Sequence, residues 1–94
     1  MNSDEALDEL QRYLAPYRIR NYSDLADLID SAPETVQVVG TSGAKYQIEV
    51  SAMWDDEPNG VLRIRGTIDD GGLRALVPLV SDFLIAPNGA IVGE

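Results

Sequence analysis

The sequence predicts an α+β fold, with two N-terminal helices packed on one face of an antiparallel β-meander of four to six strands. Three observations carry this. Apolar residues recur at spacings of three and four as far as Ile29, the period changes to two from Thr35 onward, and the alternating runs are separated by short turn-forming clusters.

The first helix is expected over about residues 4–15. Ser3-Asp4-Glu5-Ala6 reads as a partial capping box, with Ser3 accepting from an early amide and Asp4 and Glu5 at the electropositive end. Leu7, Leu10 and Leu14 form its apolar stripe, and Pro16 is expected to stop it. A second helix is expected over about 23–30, entered by Tyr22 as a hydrophobic staple, with Leu25, Leu28 and Ile29 on its buried face and Pro33 beyond its end. Tyr17 and Ile19 in the connection are read as pins to the core.

The sheet is expected over about 35–92, with strands at 35–40, 45–54, 61–68, 73–79, 83–86 and 90–92. Tyr46, Ile48, Val50, Ala52 and Trp54 alternate with Lys45, Gln47, Glu49, Ser51 and Met53; Leu62, Ile64, Gly66 and Ile68 alternate with Arg63, Arg65 and Thr67. Facing residues of an antiparallel pair point the same way, so register parity follows from the patterns. On that basis Glu49 is expected opposite Arg65 and Ser51 opposite Arg63. A tight turn at Asp70-Gly71 would set Ile68 against Leu73, Gly66 against Ala75, Ile64 against Val77 and Leu62 against Leu79. Gly66 leaves room for a helix to pass close to the sheet. The candidate core is Leu7, Leu10, Leu14, Leu25, Leu28, Ile29, Tyr46, Ile48, Val50, Leu62, Ile64, Ile68, Val77, Leu79 and Ile85. A partly closed barrel plugged by the helices is the alternative architecture.

Composition limits both domain count and chemistry. Surface scaling for a chain of 94 residues leaves roughly 64 % of the unfolded surface buried, which suits one domain over 1–94. Sixteen acidic against seven basic residues give a net charge of −9, yet 45 % of the chain is hydrophobic, which marks a foldable acidic domain and not a disordered tail. With neither Cys nor His, disulfides, zinc ribbons, thiolate nucleophiles and imidazole bases are excluded. The negative charge opposes nucleic-acid phosphates and anionic membranes, so neither is an expected partner. No apolar stretch approaches a spanning length, and Met1-Asn2-Ser3-Asp4-Glu5 lacks the cations and apolar run of a leader. The expectation is a cytoplasmic protein, whose acidity would also suit a salt-rich interior.

The carboxylates are the abundant acid-base groups. Asp55, Asp56 and Glu57, joined by Asp82 from the loop after the fourth strand, could hold a hard cation weakly, although the spacing lacks a dedicated calcium-loop pattern. Asp69 and Asp70 belong to the opposite end of the sheet, about 25 Å away, so the two groups cannot form one catalytic pair. Asp69-Asp70-Gly71-Gly72 reads as hairpin geometry, because a phosphate loop needs a helix after it. No cofactor is implied. Trp54 is assigned to the core by its parity, and Tyr13, Tyr17 and Tyr22 to half-buried covers around the helix connection.

The polar face of the sheet is the strongest candidate surface. Glu49, Met53, Arg63, Arg65, Arg74 and Leu76 would lie together there, a mixture of Arg, Met and apolar side chains typical of interface centres. A solvated face held by a Glu49–Arg65 ion pair is the plain alternative. The expected function is therefore a small acidic, non-catalytic interaction or accessory module, with an unidentified protein or a second copy as partner. Two other readings stand beside it: an acidic mimic that occupies the basic groove of a nucleic-acid-binding protein, and a weak carboxylate-metal enzyme.

Overall fold

The computed structural model describes residues 2–71 and 78–92. The elements run α1 (Ser3–Arg18), α2 (Tyr22–Ala26) continued by a 3₁₀ turn (Asp27–Asp30), β1 (Glu34–Val39), β2 (Lys45–Trp54), β3 (Leu62–Asp69), β4 (Leu79–Ile85) and β5 (Ile91–Val92). The strands form one antiparallel sheet in the order β1-β2-β3-β4-β5. The architecture is the α+β meander expected from the change of period, with β1 and β5 at opposite edges of an open sheet instead of closing a barrel.

α1 differs from expectation at both ends. Its N-cap is Asn2, whose Oδ1 accepts from the Glu5 amide at 3.1 Å, one residue before the expected Ser3. Asn caps as well as Ser does, so the box pattern did not discriminate between them. Pro16 lies inside the helix, which continues to Arg18. A proline there costs one intrahelical bond in the last turn, and tertiary contacts hold that turn in place. Tyr17 is buried with its hydroxyl donating to Glu34, and the Arg18 guanidinium lies 4.8 Å from the centre of the Phe83 ring. The buried stripe is accordingly Ala6, Leu10, Leu14 and Tyr17, while Leu7 is half-buried beside it.

α2 is capped by Asn21, whose side chain accepts from the Asp24 amide at 2.8 Å. Leu25 is fully buried; Leu28 and Ile29 sit half-buried against the core from the 3₁₀ turn.

Two hairpins share one design. In β1–β2 the Gly40 amide donates to the Ala44 carbonyl and the Gly43 amide to the Gly40 carbonyl; in β4–β5 the same bonds link Ala86 with Ala90 and Gly89 with Ala86. Gly43 and Gly89 have φ of +88° and +90°, the left-handed position that ends a three-residue hairpin loop after a type I turn.

β3 pairs with a different stretch from the one expected. Its partner is Leu79–Ile85, with Leu62 opposite Ile85, Ile64 opposite Phe83, Gly66 opposite Ser81 and Ile68 opposite Leu79. The strand expected at 83–86 is the second half of β4, which runs Leu79–Ile85, and because Ile68 faces Leu79 and not Leu73 the tight turn expected at Asp70-Gly71 does not set the β3–β4 pairing. Gly71 instead closes a local turn in which its amide donates to Asp69 Oδ1 at 2.9 Å. The pairings expected for Leu73, Ala75 and Val77 fall on positions outside the described residues. Parity survives because the inward series 73, 75, 77, 79 and the true one 79, 81, 83, 85 are both odd. β2–β3 is offset by two: Ser51 faces Arg65, Met53 faces Arg63, and Glu49 faces Thr67.

The core lies between α1, α2 and one face of the sheet. Tyr46, Ile48, Val50, Leu62, Ile64, Ile68 and Ile85 are buried as expected, and Phe83, Ala6 and Tyr17 join them. Leu79 is half-buried at the start of β4. At Gly66, α1 comes so close that a Cβ would meet Leu10 Cδ1 at 2.9 Å and Leu14 Cδ1 at 3.0 Å. The close approach is the one expected there, although the neighbour across the strand is Ser81, whose Oγ accepts from Gln11 Nε2 at 2.9 Å.

Candidate interaction surface

Among the described residues no helix packs on the second face of the sheet. Register places Gln37, Gln47, Glu49, Ser51, Met53, Arg63, Arg65, Thr67, Val80, Asp82 and Leu84 on it, the opposite side from the core series. Of the surface read from sequence, Glu49, Met53, Arg63 and Arg65 are brought together here; Arg74 and Leu76 lie outside the described residues.

Arg63 is the centre of its polar contacts. It donates through Nη2 to Asp55 Oδ1 at 2.6 Å, through Nε to the same oxygen at 3.2 Å, and through Nη1 to Asp82 Oδ2 at 2.5 Å. The two carboxylates, Asp55 first and Asp82 second, raise the guanidinium's affinity for its proton. Asp82 reaches this position from within β4, opposite Arg65, and not from a loop. The Glu49–Arg65 ion pair expected from sequence is absent from the register, because Glu49 faces Thr67. Arg63 instead sits across from Leu84 on one side and Met53 on the other, so its charged head is held by Asp55 and Asp82 beside two apolar neighbours.

The acidic residues weighed as a metal site are arranged differently. Asp55 and Asp82 do converge, but on a guanidinium; Asp56 and Glu57 are exposed in the β2–β3 loop. Among the described residues no group of three or more acidic side chains is placed to hold a metal ion.

A carboxylate site on the helical side had no signal in the sequence. Glu5 accepts from Ser42 Oγ at 2.8 Å, the Ser42 amide at 3.1 Å, Thr41 Oγ1 at 3.2 Å and the Tyr46 hydroxyl at 2.8 Å. It lies over Gly40, where a Cβ would fall 2.2 Å from Glu5 Oε1. These donors, Ser42 foremost and then Tyr46, hold the Glu5 carboxyl below its ordinary value of 4.5. The same hydrogen bond, with burial second, pushes the Tyr46 phenol up to about 12. The contacts span nearly half the chain, so no local pattern in the sequence announces them.

The tyrosines around the helix connection go to two places. Tyr13 stacks obliquely on Tyr17 at 5.9 Å, whose phenol is raised by burial first and by Glu34 second. Tyr22 donates to the Gly60 carbonyl at 2.6 Å and lies 6.4 Å from Trp54. Trp54 is half-buried against the core at the end of β2.

No helix among the described residues is long and apolar enough to cross a membrane. Comparison with protein-family models, with curated proteins and with solved structures found no match.

Proposed function

We propose that this chain is a small non-catalytic interaction module whose working surface is the helix-free face of the sheet, around Glu49, Met53, Arg63 and Arg65. The observation that carries the reading is the charge balance of that face. On a chain of net charge −9, this face sets Lys45, Arg63 and Arg65 against Glu49, Asp69, Asp82 and the Asp55 that Arg63 holds, close to balance. A partner meeting this face avoids the repulsion presented elsewhere, and finds Met53, Val80 and Leu84 among the charges. Arg65 is exposed and unclaimed by the Asp55–Arg63–Asp82 cluster, which makes it the free anchor of the surface.

The test is capture from an extract of the source cell by the wild type and by Arg65→Glu, which reverses one exposed charge opposite Asp82. A protein held in stoichiometric amount by the wild type and lost with the variant supports the reading. Identical capture by the two forms removes this face as the binding surface.

A further inference from the structure

We infer that β1 is a pairing edge for a second copy of this chain, joined antiparallel through Gln37 into one continuous sheet. β1 is an outer strand, and natural sheets blunt such edges with charge, proline, bulges or brevity. β5 follows that rule with two residues. β1 is blunted only at its start, by Pro33 and Glu34; the following Thr35-Val36-Gln37-Val38-Val39 is uncharged, mostly β-branched and regularly paired with β2. A shallow concavity of about 300 Å³ lined by Thr35, Val36, Gln37 and Gln47 runs beside it.

The backbone bonding pattern gives the register. Gly40 and Ala44 form a hydrogen-bonded pair at the hairpin end. In an antiparallel ladder bonded and non-bonded pairs alternate. Val38, Val36 and Glu34 therefore turn their amides and carbonyls to β2, and Thr35, Gln37 and Val39 turn theirs outward. These three outward residues are all exposed. A two-fold axis at Gln37 pairs Gln37 with Gln37 of the second copy and Thr35 with its Val39, which would form about six main-chain hydrogen bonds. Moving the axis to Val36 or Val38 loses two of them or meets Pro33.

The side chains agree with this register on both faces. On the helical side, half-buried Val36 meets Val38 of the second copy and extends the apolar layer. On the other side Val39, 60 % exposed, meets Thr35. Gln37 also lies opposite Gln47, so an amide row of Gln47, Gln37 and their two counterparts crosses the junction. No charged residue faces another directly. At each end Glu34 faces Gly40 of the second copy, over which Glu5 of that copy lies. Those acids and the net charge of each chain oppose the pairing, so it is weak and strengthens with salt. A second copy fits this edge because the strand is complementary to itself in backbone, parity and side chains.

The test is sedimentation of the full chain at about 10 and about 500 µM, in low salt and in about 0.5 M KCl. It is run on the wild type, Gln37→Lys, Gln37→Glu and an equimolar mixture of the variants, each shown folded by circular dichroism. The expected result is a wild-type dimer favoured by concentration and salt, monomers for each variant alone, and a dimer restored in the mixture, since position 37 faces itself only across this axis. Amide exchange in the wild type is an independent readout. When about nine molecules in ten are paired, exchange at Thr35, Gln37 and Val39 slows about tenfold, and the alternate β1 amides already bonded to β2 do not change. A wild type that stays monomeric at high concentration and salt overturns the inference and leaves the edge to a strand from another protein. Variants that dimerise like the wild type overturn it as well.

Discussion

The Glu5 carboxylate at the start of α1 accepts the Tyr46 hydroxyl of β2 at 2.8 Å, while the same carboxylate is held by Thr41 and Ser42 in the hairpin turn. One side chain thereby fixes the first turn of the helix to the β1–β2 hairpin. Its ionised form is the one the donors favour, so folding lowers its pKa. A depressed acid contributes stability above its unfolded value near 4.5, and that contribution is lost as pH falls through the lower folded value.

Glu5→Gln is therefore expected to lower the urea midpoint at about pH 6, with a smaller difference from wild type at pH values below the unfolded value near 4.5, where the unfolded chain already binds the proton and the advantage of the charge shrinks. A difference that grows on acidification would contradict the assigned role of the charge.

Gly66→Ala should destabilise by about 1 to 3 kcal/mol, because the added methyl meets Leu10 and Leu14 on a helix that Gln11 and Arg18 also hold to the sheet. Chemical denaturation measures it. A neutral substitution would mean that α1 can lift from the strand without loss.

Ile64→Ala removes a fully buried side chain from the central strand and should cost about 2 to 5 kcal/mol. Ile19, expected to pin the connection to the core but 88 % exposed after the end of α1, gives the contrast: Ile19→Ala should stay within about 0.5 kcal/mol of wild type. Equal effects would contradict the burial pattern.

The Arg63 cluster makes an ordering prediction. Asp82→Asn leaves Arg63 with Asp55, and Asp55→Asn leaves it with Asp82, whereas Arg63→Met leaves two carboxylates facing one another. Urea midpoints should fall furthest for Arg63→Met, and added salt should recover part of that loss by screening the two acids.

The extent to which the sequence reveals these features depends on the range of the interactions. Alternation within β2 and β3 identifies the buried faces and the parity of pairing, because one displaced residue would put Arg63 or Arg65 into the core. Parity does not fix the offset. Shifting β2–β3 by two keeps the same series of residues inward, and so does shifting β3–β4 by six, since Leu79, Phe83 and Ile85 share the parity of the series expected from Leu73. That shift moves Asp82 from an expected loop into β4, where it joins Asp55 on Arg63. Glu49 correspondingly loses its expected partner. At Pro16 the local rule says stop, but Tyr17 and Arg18 find partners on Glu34 and Phe83, residues distant in sequence. The Glu5 site is of the same kind: a carboxylate at the third helical position suggests a capping role, and its actual donors come from a hairpin formed by another part of the chain.

The interaction face can be examined most directly by site-specific photo-cross-linking in the source cell. A photoreactive side chain is placed at Glu49 on the helix-free face, and separately at Asp27 on the acidic helical side; both positions are exposed. A discrete adduct with another protein is expected from position 49 and none from position 27. Adducts from position 27 alone would assign binding to the acidic helical surface, as an occupant of a basic groove would require, and would contradict the role proposed for the sheet.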